Sequence, residues 1–292
     1  NYTGAEVNRF PCAYPTALMR TAGRYVLVAE QGGHRLHLST RSKALLEMET
    51  EQDILNVAVN KQGDMAVLTD GPQGYEVQLS VYNKHGRLLY TRNRNHTVTQ
   101  VALSEDGAQA ALLSVAAKDG NLNTTLDVFS LKTSDPDALC SYKVEDDLLY
   151  QVEYLGGGWV AAIGESCAVM LDTSDGLATV YAPDGMRLLG YAVGDDGLAL
   201  ATRTFGATGD GQVHLVNTAG ELVTAVDFTG EFRHLTAYKE SYGLLTDSAV
   251  YRITAEGETG SAPTDADGRQ LALDEDMAVV LGLNRLTAHS FE

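Results

Sequence analysis

Hydrophobic and polar residues alternate along most of this chain with a period of two, which is typical of strands that bury one face. In the segment around residue 80, Val77, Leu79 and Val81 share one face, and the residues between them are polar. Turns rich in Asn, Asp and Gly separate such runs, as expected between the strands of hairpins. Candidate helices, such as residues 43–50, extend over no more than a turn or two. The pattern therefore predicts an all-β protein.

The alternation is organised into a repeat. A strand, an Asp-Gly type of turn and a more apolar strand recur at residues 55–68, 101–113 and 191–201, and a second hairpin motif occurs at residues 81–89 and 215–223. With four strands to each unit, the first strands are expected to begin near residues 16, 54, 97, 148, 187, 232 and 269. Spacings of this size are typical of propeller blades. The sequence predicts a single domain, residues 1–292, folded as a seven-bladed β-propeller of four-stranded antiparallel blades.

The last unit is one strand short. It offers three strands, Arg269–Leu273, Met277–Leu281 and Leu286–Phe291, whereas the strand-like segment Ala5–Phe10 precedes the first unit and is used by none. We therefore predict that this N-terminal strand completes the last blade. Such an arrangement would leave no exposed sheet edge where the two ends of the chain meet.

The repeats lack the signatures of several well-known propeller families, such as the Trp-Asp dipeptide of WD40 repeats. The chain instead resembles an uncharacterised family of extracytoplasmic β-propeller proteins from clostridial Firmicutes, through residues 7–15 (VNRFPCAYP), 59–67 (VNKQGDMAV), 101–107 (VALSEDG) and 128–131 (VFSL). The resemblance implies a propeller displayed in the cell envelope behind an N-terminal membrane anchor, and it brings no catalytic residues with it. Because the chain begins at Asn1 without a methionine, we expect a preceding segment, which could be a signal peptide, an anchor or a tag.

Charge is distributed unevenly along the chain. The whole sequence has 21 basic and 39 acidic residues, a formal net charge of −18, which argues against nucleic acid as a partner because nucleic-acid affinity depends on Lys and Arg. Residues 1–100 contain 11 basic and 9 acidic residues, and residues 101–292 contain 10 basic and 30 acidic residues. Two interpretations stay open: acidic turns that only maintain solubility, or a dipolar particle that presents its less acidic side to a partner or an anionic surface.

Local motifs for catalysis or metal binding are weak. Residues 164–168 match a nucleophile elbow only superficially, because apolar strands flank them on both sides and favour a hairpin turn. His34 and His37 would face opposite sides of a strand, and residues 119–123 lack the Gly and Glu of a calcium loop, which favours a long hairpin loop there. Residues 206–211 are glycine-rich but precede a strand rather than a helix, so they do not predict a phosphate site. We predict no catalytic residues, no metal and no cofactor.

Two classes of function remain. The first is a monomeric, non-catalytic propeller that binds a protein, a peptide or an envelope polymer, with the membrane reached only through the N-terminal anchor. The second is an enzyme whose polar residues converge from several blades at the mouth of the central channel. We favour the binding module, because no local motif carries chemistry.

Hairpin lengths predict where such a module would bind. The hairpins at Gly164–Ser166, Thr246–Ser248 and Gly282–Asn284 are tight, and those at Asp70–Tyr75, Ala116–Asn123 and Phe205–Gly211 are longer. Insertions in a repeat protein tend to collect on its binding face. The basic segment Arg92–His96 is expected to cross between two blades on the same face. The predicted binding residues are Tyr75, Arg92, Arg94, Lys118, Asn121 and Phe205.

Overall fold

The computed structural model describes residue 9 and residues 13–118, 120–133, 135, 137–195 and 197–291. The alternating segments form antiparallel sheets in which strands that are neighbours along the chain are also neighbours in the sheet. Sheet 1 consists of β1 (Ala17–Ala22), β2 (Tyr25–Glu30), β3 (Arg35–Thr40) and β4 (Lys43–Glu49). Sheet 2 consists of β5 (Ile54–Val59), β6 (Met65–Asp70), β7 (Val77–Tyr82) and β8 (Leu88–Arg94). Sheet 3 consists of β9 (Val98–Leu103), β10 (Gln109–Lys118), β11 (Asn121–Ser130) and β12 (Cys140–Glu145).

The remaining sheets continue the same order. Sheet 4 consists of β13 (Gln151–Tyr154), β14 (Trp159–Ile163), β15 (Ala168–Asp172) and β16 (Ala178–Tyr181), and sheet 5 of β17 (Met186–Val193), β18 (Gly197–Thr204), β19 (Gly211–Asn217) and β20 (Leu222–Phe228). Sheet 6 consists of β21 (Phe232–Tyr238), β22 (Ser241–Thr246), β23 (Ala249–Thr254) and β24 (Gly257–Pro263). Sheet 7 consists of β25 (Gln270–Leu273), β26 (Met277–Leu281) and β27 (Leu286–Ser290). One short 3-10 helix, Gly156–Gly158, lies between β13 and β14. Throughout the described residues the fold is therefore all-β, as predicted.

The recurring turn motif has a common hydrogen-bond basis. The side-chain oxygen Oδ1 of Asn60 accepts hydrogen bonds from the backbone N–H groups of Gln62 and Asp64, at 3.0 and 2.9 Å. Gly63 lies within this turn at a φ of 88°, where a residue with a Cβ would be strained. The later hairpin of sheet 2 repeats the device, since Asn83 accepts in the same way from residues two and four positions further on. Side chains of this type compete with the strand ladder and reverse the chain.

A β-bulge recurs in the first strand of several sheets. The register skips one residue in β5, β9, β17 and β21, which leaves Leu55, Thr99, Leu189 and Arg233 without an opposite partner. Bulges increase local twist and redirect side chains. The repeat therefore extends beyond the turn motifs to a bulge in four of the first strands.

The chain divides into two compact units. The first comprises Asn1–Tyr154 and Thr173–Gly176. Within it, the first strands β1, β5 and β9 pack against one another in order, and aliphatic clusters fill the space between neighbouring sheets. Leu27, Leu38 and Leu79 are completely buried in these clusters.

The second unit comprises Leu155–Asp172 and Leu177–Glu292. Its first strands β17, β21 and β25 also pack in order, with clusters of buried residues between the sheets. Leu200, Leu244 and Val280 represent these clusters.

The two ends of each sheet carry different connections. We call the end with the hairpins between first and second strands, and between third and fourth strands, the turn end. The opposite end, where the second strand passes to the third and the chain leaves for the next sheet, is called the loop end. The candidate binding residues were predicted at the loop end.

The seven predicted units correspond to seven sheets, and their first strands begin within three residues of the predicted positions. The last sheet contains three strands in the described part of the chain, as predicted. The segment Ala5–Phe10 lies outside the described residues apart from Arg9, so its closing role stays a prediction. No helix among the described residues is long and apolar enough to span a bilayer.

Candidate binding surfaces at the loop ends

Tyr75 lies in a structured loop between β6 and β7. The backbone N–H of Tyr75 donates to Pro72, and that of Gly71 donates to Glu76, each at 2.9 Å. Glu76 in turn accepts a hydrogen bond from the hydroxyl of Thr97, at 3.0 Å, which ties the loop to the crossing towards sheet 3. Tyr75 itself is 46% exposed. The structure therefore confirms an extended loop here and places an aromatic side chain in solvent.

Phe205 is more exposed, at 63%, and a buried arginine donates hydrogen bonds to the backbone of its loop. Arg203 is 5% exposed, and its guanidinium donates to the carbonyl oxygens of Gly209 and Asp210, at 2.6 and 3.1 Å. The same guanidinium contacts Glu231 at 3.0 Å, whose carboxylate also accepts the N–H of Gly209. Charge-assisted hydrogen bonds of this kind are short and strong. The loop after β18 is therefore a fixed platform that presents Phe205.

Arg92 and Arg94 do not lie in a crossing loop, and this prediction was wrong. Both residues belong to β8, where Arg92 lies opposite Leu79 and Arg94 opposite Val77. Their guanidinium carbons lie 4.1 and 4.8 Å from the centre of the Phe129 ring. The physical reason is that β8 is the outermost strand of its sheet, so polar and basic residues are compatible with a strand there. Only Asn95, His96 and Thr97 remain for the crossing.

Arg94 joins sheet 2 to sheet 3 through charge. Its Nη2 lies 3.0 Å from Oδ2 of Asp127, and the two side chains are only 16% and 12% exposed. The same nitrogen lies 2.9 Å from Nε2 of His96. Burial lowers the pKa of Arg94, although Asp127 opposes this effect, and burial together with the charge of Arg94 lowers the pKa of His96. Arg94 therefore contributes to packing between the two sheets, and little of its side chain is accessible to a binding partner.

In the hairpin of sheet 3, the two paired strands are longer than predicted and the loop that connects them is shorter. β10 and β11 stay paired from Gln109 opposite Ser130 to Lys118 opposite Asn121, which leaves a two-residue connection where an eight-residue loop was expected. Because β9 pairs with β10 only as far as Ser114, the tip of the hairpin extends beyond the first strand. Asn121 is exposed there. The prediction of a long loop was wrong, but a projecting element occupies its place.

The other expected hairpins agree with the structure. The N–H of Gly164 donates to the carbonyl of Cys167 at 2.7 Å, so the apparent nucleophile elbow is a tight turn between β14 and β15. The glycine-rich segment after Phe205 is followed by strand β19, as predicted. Among the residues that the structure describes, no three His, Cys, Asp or Glu side chains lie close enough to hold a metal ion.

Polar side chains link the first strands of the first unit. Nδ2 of Asn56 donates to Oε1 of Gln100 at 2.8 Å, and Oδ1 of Asn56 accepts from Arg20 at 3.2 Å. Asn56 is 5% exposed, and this chain of hydrogen bonds connects sheets 1, 2 and 3. No local pattern indicates this contact, because neighbouring members of the chain of hydrogen bonds are about 40 positions apart in the sequence. The bonds account for these buried and half-buried polar residues as packing contacts.

Two depressions were not anticipated from the sequence. A groove of about 490 Å³ in the first unit is lined by Leu89, Arg92 and Lys132 among others. A cavity of about 820 Å³ in the second unit lies at the turn ends of sheets 5 to 7 and contains Lys239 and Arg252 with several carboxylates. Lys239 lies 3.5 Å from Glu275, so opposite charges already neutralise part of this cavity. Both are wide and open rather than enclosed.

Comparisons with solved structures identify the fold. A structure of the Kuenenia stuttgartiensis hydrazine synthase is 12% identical and matches 98% of this chain and 98% of that chain, with a TM-score of 0.61. The Pan2 WD40 domain of Neurospora crassa is 9% identical over 94% of this chain and 87% of that chain, with a TM-score of 0.59. A functionally unknown protein from Desulfotomaculum acetoxidans is 14% identical over 92% of each chain, with a TM-score of 0.59.

Identities this low show the fold alone: the repeated antiparallel sheets are those of WD40-like β-propellers, and seven of them agree with the predicted blade count. A search of curated proteins found no relative of this chain. The model of one family, described as a family of unknown function, matches residues 1–262. This chain therefore belongs to the DUF5711 family.

Proposed function

We propose that this protein is a non-catalytic β-propeller binding module that recognises a protein, a peptide or an envelope polymer through its loop ends. The observation that carries the proposal is the fixed loop of Phe205. A rigid, exposed aromatic residue loses little conformational entropy when a partner covers it. Aromatic residues also dominate the binding energy of many interfaces.

Display outside the membrane belongs to the same proposal. The family resemblance supports an N-terminal anchor and an extracytoplasmic position, with the module acting as a monomer. Of the six predicted binding residues, we retain Tyr75, Asn121 and Phe205 as contacts, because the structure leaves them exposed. Arg92 and Arg94 already serve the packing of sheets 2 and 3. Lys118 lies opposite Asn121, beside the turn of the projecting hairpin.

The test compares envelope components retained by the immobilised protein and by two variants. Tyr75→Ala combined with Phe205→Ala removes the two aromatic residues of the predicted contact set, and we expect about a thirtyfold weaker affinity for a specific partner. The matched control is Leu177→Ala, since Leu177 is 69% exposed and lies in the turn between β15 and β16, away from the predicted loops. A component that the parent and the control retain, and the double variant loses, supports the proposal. Equal retention by all three proteins contradicts it.

A further inference from the structure

The turn ends of sheets 1 and 2 concentrate positive charge in an acidic protein. Their four hairpins, residues 22–25, 40–43, 59–65 and 82–88, contain six basic residues and one acidic residue, Asp64. The basic residues are Arg24, Arg41, Lys43, Lys61, Lys84 and Arg87. By contrast, the hairpins at the turn ends of sheets 5 to 7 contain eight acidic residues and one basic residue. The uneven charge of the sequence is therefore gathered at defined ends of particular sheets.

Contacts join three of these hairpins, and the Cβ position at Gly86 lies 3.2 Å from Leu46 of β4, the strand that leaves the fourth. Arg24 lies over the ring of Tyr25, with its Cζ 5.1 Å from the ring centre, and donates to the Tyr25 hydroxyl at 3.1 Å. The hydrogen bond from Arg24, with a further contribution from the charge of Lys84, lowers the pKa of Tyr25. A Cβ on Gly63 would lie 2.8 Å from the Tyr25 ring and 3.1 Å from Lys84, so the turns of sheets 1 and 2 touch.

At least one of these basic side chains is paired with an acidic group of a neighbouring sheet. Lys61 forms an ion pair with Glu105 of sheet 3. Asp64 lies 3.5 Å from the side-chain nitrogen of Asn60. The outer basic side chains, Arg41, Lys43 and Arg87, are all exposed. Positive charge therefore faces the solvent at the hairpins of residues 40–43 and 82–88, which connect the third and fourth strands of sheets 1 and 2.

Exposed aliphatic side chains adjoin the charge. Leu88 and Leu89 follow Arg87 directly and are 51% and 46% exposed. Basic residues next to exposed leucines suit the interface of a bilayer, where cations meet lipid phosphates and aliphatic groups enter the headgroup boundary. A soluble polyanion would satisfy the cations but would leave the leucines in water. Hairpin tips also project from the sheet, which favours contact with a flat surface.

We propose that the turn ends of sheets 1 and 2 form a contact surface for an anionic phospholipid bilayer. The basic side chains approach the lipid phosphates, and Leu88 and Leu89 enter the interface. Tyr75 lies at the opposite end of sheet 2, so this orientation directs its loop away from the bilayer. The inference is independent of the partner-binding proposal, because it concerns the other ends of the sheets.

Vesicle flotation tests the surface directly. The probes are vesicles of phosphatidylcholine alone and of phosphatidylcholine with 30% phosphatidylglycerol, at about 50 mM and 500 mM salt. We expect binding to the anionic vesicles at low salt and its loss at high salt. Each removed cation should weaken partitioning about fivefold, so Arg41→Gln, Lys43→Gln and Arg87→Gln together should weaken it about a hundredfold. Leu88→Ser with Leu89→Ser should also weaken binding without changing the net charge.

The control carries the same change in net charge at other positions. Arg187→Gln, Arg233→Gln and Arg269→Gln remove three exposed basic residues at the loop ends of their sheets, and we expect less than about a twofold effect. Equal loss in both triple variants would show that net charge alone governs binding and would overturn the proposal. The proposal would also be overturned if the parent protein did not bind the anionic vesicles. Binding to inorganic polyphosphate without binding to any vesicle would overturn it as well. Circular dichroism melting of each variant confirms that it is folded.

Discussion

Arg94 shows how one side chain can serve several neighbours at once. It contacts Asp127, His96 and the ring of Phe129, and it thereby connects the outer strand of sheet 2 to the third strand of sheet 3. Removing one member of such a partly buried ion pair leaves the other charge uncompensated. His96 accepts a hydrogen bond in this cluster only in its neutral form, and its lowered pKa favours that form.

Burial of histidines makes stability depend on pH. The pKa values of His96, His214 and His234 are each lowered, with burial as the largest cause, from an ordinary value of 6.5. As the pH falls through about 6.5, the unfolded chain takes up protons that the folded protein does not, so the free energy of unfolding decreases. We predict that stability decreases between pH 7.5 and pH 5.5, measured by urea denaturation at fixed ionic strength.

Glutamine variants separate the histidines from the carboxylates. His214 is 5% exposed and lies 2.7 Å from the hydroxyl of Tyr181. His214→Gln should reduce the pH dependence over this interval, whereas His85→Gln, at an exposed turn residue, should leave it unchanged. Both variants retain every Asp and Glu, so the difference between their slopes isolates the buried imidazole. Parallel slopes for the two variants would disprove this contribution.

Strands were predictable because their signal is local. The alternation from Val77 to Val81 and the Asn-based turns depend on residues within a few positions of one another. The hairpin of sheet 3 was misjudged because the alanines at 116 and 117 have weak strand preference, although the Asp-Gly pair at 119–120 is itself a signal for a two-residue turn. The bulges in the first strands and the contact of Arg94 with Asp127 depend on packing between residues distant in sequence. No local pattern indicates such contacts.

The loop that presents Phe205 owes its shape to one residue. Replacing Arg203 by methionine keeps much of the apolar stem but removes the hydrogen bonds to Gly209, Asp210 and Glu231. We predict a loss of about 2 kcal/mol in stability, because the hydrogen bonds of a buried, charged guanidinium are removed. Amide hydrogen exchange within residues 205–210 should become about tenfold faster, since local opening would cost about 1.4 kcal/mol less.

An exposed arginine provides the control for this element. Arg269→Met makes the same chemical change at an exposed position just before β25, in another sheet, and should alter neither stability nor exchange in the loop. If Arg203→Met left the exchange of residues 205–210 unchanged, the loop would hold its shape without the buried guanidinium. The argument that Phe205 is presented on a fixed platform would then fail.

At the scale of the whole molecule, the sheets share one strand order but differ in the charge of their turn ends. Every sheet follows the same strand order, yet the turn ends of sheets 1 and 2 are basic and those of sheets 5 to 7 are acidic. The loop ends differ in another way, by the length and rigidity of their hairpins. A repeated architecture can therefore offer distinct chemistry at each end, because the strands determine packing and leave the hairpin sequences free to vary.

The three-stranded last sheet leads to the final prediction. Its outer strand, β27, has no fourth strand beside it among the described residues, and Leu286 and Leu281 are 67% and 42% exposed. We predict that residues 5–10 supply the missing strand. Deleting residues 1–12 should then lower the melting temperature by about 10 °C, since a loss of 1 kcal/mol corresponds to about 2–4 °C in a domain of this size. An unpaired, apolar edge should also promote self-association.

A shorter truncation distinguishes the strand from the terminus as such. Deletion of residues 1–4 removes the start of the chain but retains Ala5–Phe10, so its melting temperature should stay within about two degrees of the parent. Substituting Val7→Asp in the full chain should reproduce part of the larger effect, because a charge would enter the apolar side of the added strand. The closing role of this segment is refuted if the 1–12 deletion melts like the parent and remains monomeric by light scattering. In that case the exposed leucines of the last sheet would need a different covering element.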